Sequence, residues 1–303
     1  MTETAKRTVR IATAAYPLDW FDSLDQYDAK VSGWVGSAVA KGAELLVFPE
    51  YGAMELASLG GKAVAADLQG ALVEVARHRP AMDAIFVRLA AAHGVYILGP
   101  SGPVFTGPRP VNRATLYGPE GVIGHQDKQI MTRFEREEWD VVPGTDGLTV
   151  FDTPLGKIGV VICYDCEFPL FSRKLAEAGV EILLVPSCTE TEAGYWRVRL
   201  GSMARALENQ CVAVHSPLIG SASWCAGVEE NKGSSAIYGP PDRGWPANGV
   251  LVMSGDEEPV WMLATVSRDL IAQTRADGGV LNYRHWPEQA ERLKAPLRSI
   301  KTT

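Results

Sequence analysis

Short apolar runs rich in β-branched residues alternate with longer amphipathic stretches along most of this chain. That alternation constrains its fold more than any other feature. Val9 to Ala14 reads as a strand, Tyr27 to Ala40 as a helix, Leu45 to Phe48 as a strand, Ala84 to His93 as a helix and Tyr96 to Gly99 as a strand. Stretches of helical period bury one stripe, and short wholly apolar runs bury both faces of a strand, so the pattern is that of an α/β protein. Arg113 to Tyr117 and Val122 to Asp127 flank Gly118-Pro119-Glu120-Gly121, and Leu148 to Phe151 and Lys157 to Ile162 flank Thr153-Pro154-Leu155-Gly156. Both pairs read as hairpins, which makes the sheet mixed. Further on come a helix from Leu170 to Ala178, a strand from Ile182 to Val185, a helix from Trp196 to Asn209 and a strand from Val212 to His215. Later strands are expected near Ser234 to Tyr238, Val250 to Met253 and Trp261 to Val266. The Pro/Gly-rich stretches Gly102 to Pro110 and Pro240 to Gly249 read as loops, too short for interdomain linkers. One domain over residues 1–303 is therefore expected, with its core over about 8–270.

Charge and composition exclude several function classes. The net charge is −7, and no window gathers Lys and Arg into a stripe, so a nucleic acid backbone finds no electrostatic footprint. The segment Met1-Thr2-Glu3-Thr4-Ala5-Lys6-Arg7 is polar, without the apolar stretch of a secretion signal. No segment has the roughly 18 apolar residues of a membrane span, so a cytoplasmic protein without a membrane partner is expected. The odd set of five cysteines, Cys163, Cys166, Cys188, Cys211 and Cys225, points to reduced thiols rather than a disulfide framework.

Three positions combine reactive side chains with strand ends. Cys163 closes the run Ile158-Gly159-Val160-Val161-Ile162 and is followed by Tyr164-Asp165 and Phe168-Pro169. The turn after such a strand is where α/β enzymes present nucleophiles, with backbone N–H groups aimed at the reacting atom. Glu50 ends the apolar run Leu45-Leu46-Val47-Phe48-Pro49, where desolvation raises a carboxyl group toward the range of a general base. Lys128 follows the second strand of the first hairpin, where its ammonium can meet both and favour a thiolate.

In this order, Phe48-Pro49-Glu50, Lys128 and Cys163-Tyr164-Asp165 with Phe168-Pro169 resemble the nitrilase superfamily of carbon–nitrogen hydrolases. The resemblance continues through Val185-Pro186-Ser187, Trp196, Arg205-Ala206-Leu207-Glu208-Asn209, Gly233-Ser234-Ser235 and Gly239-Pro240. It implies an αββα four-layer sandwich with mixed sheets. It also implies a homodimer or higher homo-oligomer, with residues 271–303 as a C-terminal extension assigned to the dimer interface. Glu50 becomes the general base, Lys128 the oxyanion partner with the backbone N–H of Tyr164, and Cys163 the nucleophile. A second glutamate follows the lysine in similar proteins. Glu135 fits best because Trp139 follows it at the familiar interval, with Glu138 as the other candidate. The implied reaction is hydrolysis of a small-molecule amide through a thioester, without metal or organic cofactor. The sequence also shows no Cys/His cluster at zinc spacing.

Tyr164-Asp165 resembles the amidase branches rather than the nitrile-cleaving ones, which carry Trp-Glu there, and carbamoyl hydrolysis stays open beside amide hydrolysis. Tyr51, Trp139, Glu167, Ser187 and Trp196 are the candidate pocket residues, with Trp224 as a further aromatic. Glu167 stands where members acting on dicarboxylic acid monoamides carry Arg. If it faces the pocket, it repels a substrate carboxylate and welcomes an amine. Two readings come from other classes. Cys163-Tyr164-Asp165-Cys166 is formally a C-x-x-C dithiol, but it sits mid-chain in a large domain, and Asp165 opposes thiolate formation. His215, at a strand end, is the partner a papain-like pair requires. A non-catalytic binding protein on the same fold is the third hypothesis, which the intact Glu50, Lys128 and Cys163 argue against.

Overall fold

The computed structural model describes residues 7–301; the polar segment 1–6, on which the expectation about a secretion signal rests, lies outside the described residues. Fourteen strands are formed among them: β1 Thr8–Pro17, β2 Leu45–Val47, β3 Tyr96–Leu98, β4 Gly102–Phe105, β5 Pro110–Gly118, β6 Gly121–Asp127, β7 Val150–Thr153, β8 Gly156–Val160, β9 Ile182–Ser187, β10 Val212–Ser221, β11 Glu230–Asn231, β12 Ala236–Tyr238, β13 Val250–Met253 and β14 Val260–Ser267. One sheet is built around the parallel trio β1, β2 and β3, with β14 antiparallel on β1 and β5 antiparallel on β3. The other is built around parallel β8, β9 and β10, with β7 and β12 antiparallel at its flanks and β13 beyond β12. Both hairpins expected from the sequence, β5–β6 and β7–β8, form. The two sheets join where Tyr16 and Pro17 pair with Leu218 and Ile219.

Period-two alternation fixes the layers. Ile11, Leu45, Val47, Leu98 and Leu116 of the first sheet share a buried core with Ile158, Val160, Ile182, Leu184, Val212 and Val214 of the second. Their neighbours Ala12, Leu46, Phe48, Ile97 and Tyr117 belong instead to the core formed with Tyr27, Val31 and Val35 of the helix Leu24–Ala40 and Leu72, Val75, Met82 and Phe86 of the helix Leu68–His93. On the outer face of the second sheet, Ala213 and Tyr238 pack with Ala206 of the helix Glu192–Asn209. The helix Pro169–Glu177 brings Leu175 over Gly159. The layers are therefore helix, sheet, sheet, helix: an αββα sandwich with mixed sheets.

Three expectations change. The helix read from Ala84 begins at Leu68 and runs for 26 residues through Pro80. Proline interrupts the local helical signal, but the buried stripe on both sides of it outweighs one lost hydrogen bond. The stretch Gly102 to Pro110 is not a plain loop, because Gly102–Phe105 pairs antiparallel with Arg113–Pro110. The core boundary near 270 falls inside the helix Arg268–Asp277, whose Ile271 and Thr274 are buried.

Phe48 locks the end of β2. It is fully buried, and its ring meets those of Tyr16, Phe86 and Trp261 edge-on at centroid distances of 5.5, 5.4 and 5.2 Å. Phe48→Ala is expected to cost about 3–5 kcal/mol, seen as a lower urea midpoint at unchanged slope. A loss below about 1 kcal/mol would show that this cluster does not anchor the strand.

Candidate active site

The reactive side chains stand where strands end, the usual place for a site in sheets of this kind. Glu50 follows β2, Lys128 follows β6, Cys163 lies just beyond β8 and Cys188 follows β9. Glu135 sits in the one-turn helix Arg133–Glu137, which starts with a capping box. Thr132 Oγ1 accepts the Glu135 N–H (3.3 Å), and Glu135 Oε2 accepts the Thr132 N–H (2.8 Å). Two non-glycine residues at the site hold left-handed backbone, Tyr51 (φ 55°) and Cys163 (φ 48°). Such conformations cost about 1–2 kcal/mol each and cluster where side chains must be aimed.

Glu50, Lys128, Glu135 and Cys163 are between 1% and 4% exposed. Lys128 Nζ donates to Glu50 Oε1 and to Glu135 Oε2, both at 2.7 Å. Glu50 Oε1 also accepts Asn112 Nδ2 (3.0 Å), and its Oε2 accepts the Cys188 N–H (2.9 Å). Glu135 Oε1 accepts the Tyr51 hydroxyl (2.8 Å). Glu138, the other candidate for the second glutamate, is exposed, and its side chain does not contact Lys128. The Cys163 Sγ lies 3.7 Å from Cys188 O and within hydrogen-bonding reach of Glu50.

Burial raises the Glu50 carboxyl above its ordinary range, the Lys128 ammonium pulls it down, and the charge of Glu135 pushes it up again. Burial works against ionising Glu135 as well, but Lys128, the Thr132 N–H and the Tyr51 hydroxyl hold it below its ordinary range. Burial, seconded by the Glu50 charge, lifts the Cys163 thiol well above its usual range despite Lys128. One ammonium shared between two carboxylates does not offset desolvation of the sulfur, so the balance beside Glu50 favours the thiol.

Three residues that the sequence reading did not assign to the site hold it together. Asn112 lies in β5, where a fully buried polar side chain requires partners; Ser101 Oγ donates to its Oδ1 (2.7 Å) and accepts the Tyr51 N–H (3.0 Å). Asp165 accepts the N–H groups of Ile130 (2.8 Å), Gln129 (3.1 Å) and Ile162 (3.3 Å), tying the segment after Lys128 to the turn that carries Cys163. A polar residue embedded in an apolar strand was the legible signal for Asn112; nothing in the sequence marked Ser101.

A cavity of about 580 Å³ opens onto the cluster. Tyr51, Trp139 and Glu167 line it, as the sequence suggested for its pocket, and so does Tyr164, while Ser187 and Trp196 do not. Ser187 is fully buried with its hydroxyl 2.8 Å from His215 Nε2, because strand alternation turns it inward where the next residue, Cys188, reaches the cavity. Trp196 is 46% exposed on the outer helix. Trp224 packs edge-on against Trp20 instead. Trp139 lies over Gly227, whose φ of 88° and missing side chain admit the ring. Cys166 is buried outside the cavity with its Sγ 3.7 Å from Val198 O, which leaves no accessible dithiol with Cys163. Among the described residues, His125, Asp127 and Asp146 bring ligand atoms within 4.8 Å of one another. Arg113 already holds Asp127 through both oxygens, at 2.7 and 2.8 Å. No described helix is long and apolar enough to cross a membrane.

A family model described as carbon-nitrogen hydrolase matches residues 8–276. The chain belongs to this family. Similar proteins include "Probable hydrolase YhcX" of Bacillus subtilis, 30% identical over 273 residues that span 90% of this chain and 52% of that protein. The deaminated glutathione amidase of Bos taurus is 34% identical over 167 residues, 54% of this chain and 46% of that protein. The chain thus spans about half the length of these relatives. The omega-amidase NIT2 of Xenopus tropicalis is 28% identical over 198 residues, 62% of this chain and 67% of that protein. Among solved structures, a carbon–nitrogen hydrolase from Helicobacter pylori G27 superposes with a TM-score of 0.74 at 17% identity, covering 94% of this chain and 95% of that one. An amidase from Nesterenkonia sp. gives 0.69 at 22% identity, covering 94% and 98%. At these identities the two structures speak for the fold.

The electrostatics of this carbon–nitrogen hydrolase site make a signed prediction. Glu135 raises the Glu50 carboxyl, so Glu135→Gln should move the acid limb of kcat/KM to lower pH even as turnover falls. A pH profile whose limb stays in place or moves up would show that Glu50 does not sense this charge.

Proposed function

We propose that this chain hydrolyses a small amide to a carboxylate and ammonia through a thioester on Cys163. The observation that carries this reading is the aimed thiol: Cys163, held in left-handed backbone, lies against Glu50, and Glu50 shares the ammonium of Lys128 with Glu135. Glu50 takes the proton of the thiol as the sulfur attacks the amide carbonyl carbon. Lys128 has three N–H donors, two of them engaged by carboxylates, and the third is available to the developing oxyanion with the backbone N–H of Tyr164. The C–N bond then breaks, Glu50 returns its proton to the departing ammonia, and a thioester remains. Water attacks the thioester with Glu50 again as base, releasing the carboxylate and restoring the thiol. Glu135 acts through Lys128, holding the ammonium between the two carboxylates. The same steps serve a carbamoyl substrate. Tyr164-Asp165 favours either over a nitrile. Because the mechanism needs a reduced thiol, a cytoplasmic location belongs to the same proposal.

A homodimer or higher homo-oligomer is part of this reading. Leu170, Trp196, Leu200 and Leu207 are 70%, 46%, 59% and 41% exposed on the two outer helices, and Leu293, Leu297 and Ile300 are exposed in the C-terminal extension. Grouped apolar exposure of this kind supports burial against a second copy. Sedimentation of the wild-type chain should give a dimer or larger species that Leu200→Asp weakens, and a wild-type monomer would remove the assembly from the proposal.

The chemistry is tested by intact mass. After quenching with small amides, the wild-type protein should gain the mass of the acyl group, and Cys163→Ala should show neither adduct nor ammonia release while keeping its fold. Turnover retained in pure Cys163→Ala would overturn the mechanism.

A further inference from the structure

A second buried carboxylate–ammonium pair stands outside the cavity, and the mechanism makes no use of it. Glu55 lies in the 3-10 helix Gly52–Gly60 and is fully buried. Its Oε2 accepts the Tyr16 hydroxyl (2.8 Å), and its Oε1 accepts the Asp19 N–H (2.8 Å) and the Lys30 ammonium. Lys30, on the helix Leu24–Ala40, also donates to Pro17 O (2.6 Å), meets the Asp19 carboxylate at 2.8 Å and lies over the Tyr16 ring, 4.2 Å from its centroid. Tyr27 and Cys225, both buried, also sit in the field of Glu55. One carboxyl group thereby gathers the end of β1, the loop after it and an outer helix.

The segment held there carries one half of the site. Glu50 and Tyr51 precede it directly, and the connection has little slack. Met54 N–H bonds Tyr51 O (2.9 Å), Ala53 N–H bonds Ser101 O (3.2 Å) and Ser101 N–H bonds Pro49 O (3.1 Å). Gly52 presses on Pro100, where an added Cβ would stand 2.8 Å from the proline Cβ. In so close a packing a shift at Glu55 is passed to Glu50 and to Tyr51, whose hydroxyl holds Glu135. On its other side the segment holds a cavity wall. Met54 O accepts the Cys225 thiol (3.7 Å), and Ala65 O, in the helical turn that follows, accepts the Ala226 N–H (2.9 Å). Ala226 and Gly227 line the cavity, with Gly227 beneath Trp139.

Stability alone is a weak reason for such a pair, because apolar side chains of the same volume often serve as well or better. Burial lifts the Glu55 carboxyl to about 7, even with Lys30, the Asp19 N–H and the Tyr16 hydroxyl pulling it down. What the pair adds is direction, since hydrogen bonds to charged groups fix angles that apolar packing leaves freer. We infer that Glu55 and Lys30 are positioning residues for this site: by fixing the segment Gly52–Gly60 they hold Glu50 against Cys163 and, through Tyr51, Glu135 against Lys128. The kinetic side of this inference rests on the amide-hydrolase reading, and the geometric side does not.

Lys30→Met removes the ammonium, whose side chain is 10% exposed, and Glu55→Gln removes the charge at the centre of the cluster. Both variants should fold, with lower urea midpoints. For the amide that the wild type cleaves, kcat should fall about tenfold or more while KM stays within about threefold, because the pair aims the base and does not touch the substrate. A second readout needs no substrate. The Glu50 charge helps to raise the Cys163 thiol. A base that has drifted should therefore let iodoacetamide modify Cys163 at a pH lower by about half a unit or more, read by mass on the Cys163 peptide. Lys30→Arg keeps the charge and should stay near the wild type in both readouts. Variants that unfold at lower urea yet keep the wild-type kcat and alkylation profile would make the pair a stabiliser of the fold alone, and overturn the inference. Failure of both variants to fold overturns it too, as does an equal loss in Lys30→Arg and Lys30→Met. If the wild type cleaves no amide, the hydrolase reading fails, and the alkylation profile still decides the positioning role.

Discussion

Everything at this site depends on one ammonium held between two carboxylates in a place almost closed to water. Removing three charges from water costs several kcal/mol apiece, and it is tolerated only where geometry and extra hydrogen bonds compensate. Here both ion pairs are 2.7 Å long, and each carboxylate takes further donors, Asn112 and the Cys188 N–H on Glu50, Tyr51 and the Thr132 N–H on Glu135. Without Lys128 two like charges would be buried with no compensation. With it, the cluster still carries one negative charge in excess, and the Glu50 charge adds to burial in raising the Cys163 thiol.

The fold exists to hold that cluster rigidly. Glu50 and Lys128 follow strands of the first sheet and Cys163 and Cys188 follow strands of the second, so the buried polar cluster straddles the sandwich. The shared apolar core between the sheets fixes their spacing, and Asp165 fixes it again locally by collecting N–H groups from both sides. Burial raises the Asp165 carboxyl to about 7, against the pull of Lys128 and the three donors. This side chain braces the segment after Lys128 against the turn that carries Cys163.

Charge is distributed by depth. The floor of the cavity pairs its cation internally, whereas Glu138, Glu167, Glu190, Glu229 and Glu230 line the rest of it with Arg197. Excess charge of one sign at a cavity mouth sets the local potential that an entering molecule meets.

The sequence alone determined the α/β class, both hairpins, the strand-end placement of Glu50, Lys128 and Cys163, and, by resemblance, the four-layer fold. These follow from local information: apolar periodicity, turn residues and short motifs whose order survives in the linear chain. It pointed to Glu135 through the position of Trp139, yet the capping box and the buried contact with Lys128 became visible only in three dimensions. Tertiary structure decided what depends on facing. Alternation turned Ser187 inward and gave the cavity Cys188, the outer helix took Trp196 to the surface, and packing carried a helix through Pro80. It also decided the direction in which the Cys163 thiol is shifted, because the balance between an ammonium, two carboxylates and lost water is set by distances across two sheets, which no linear pattern encodes.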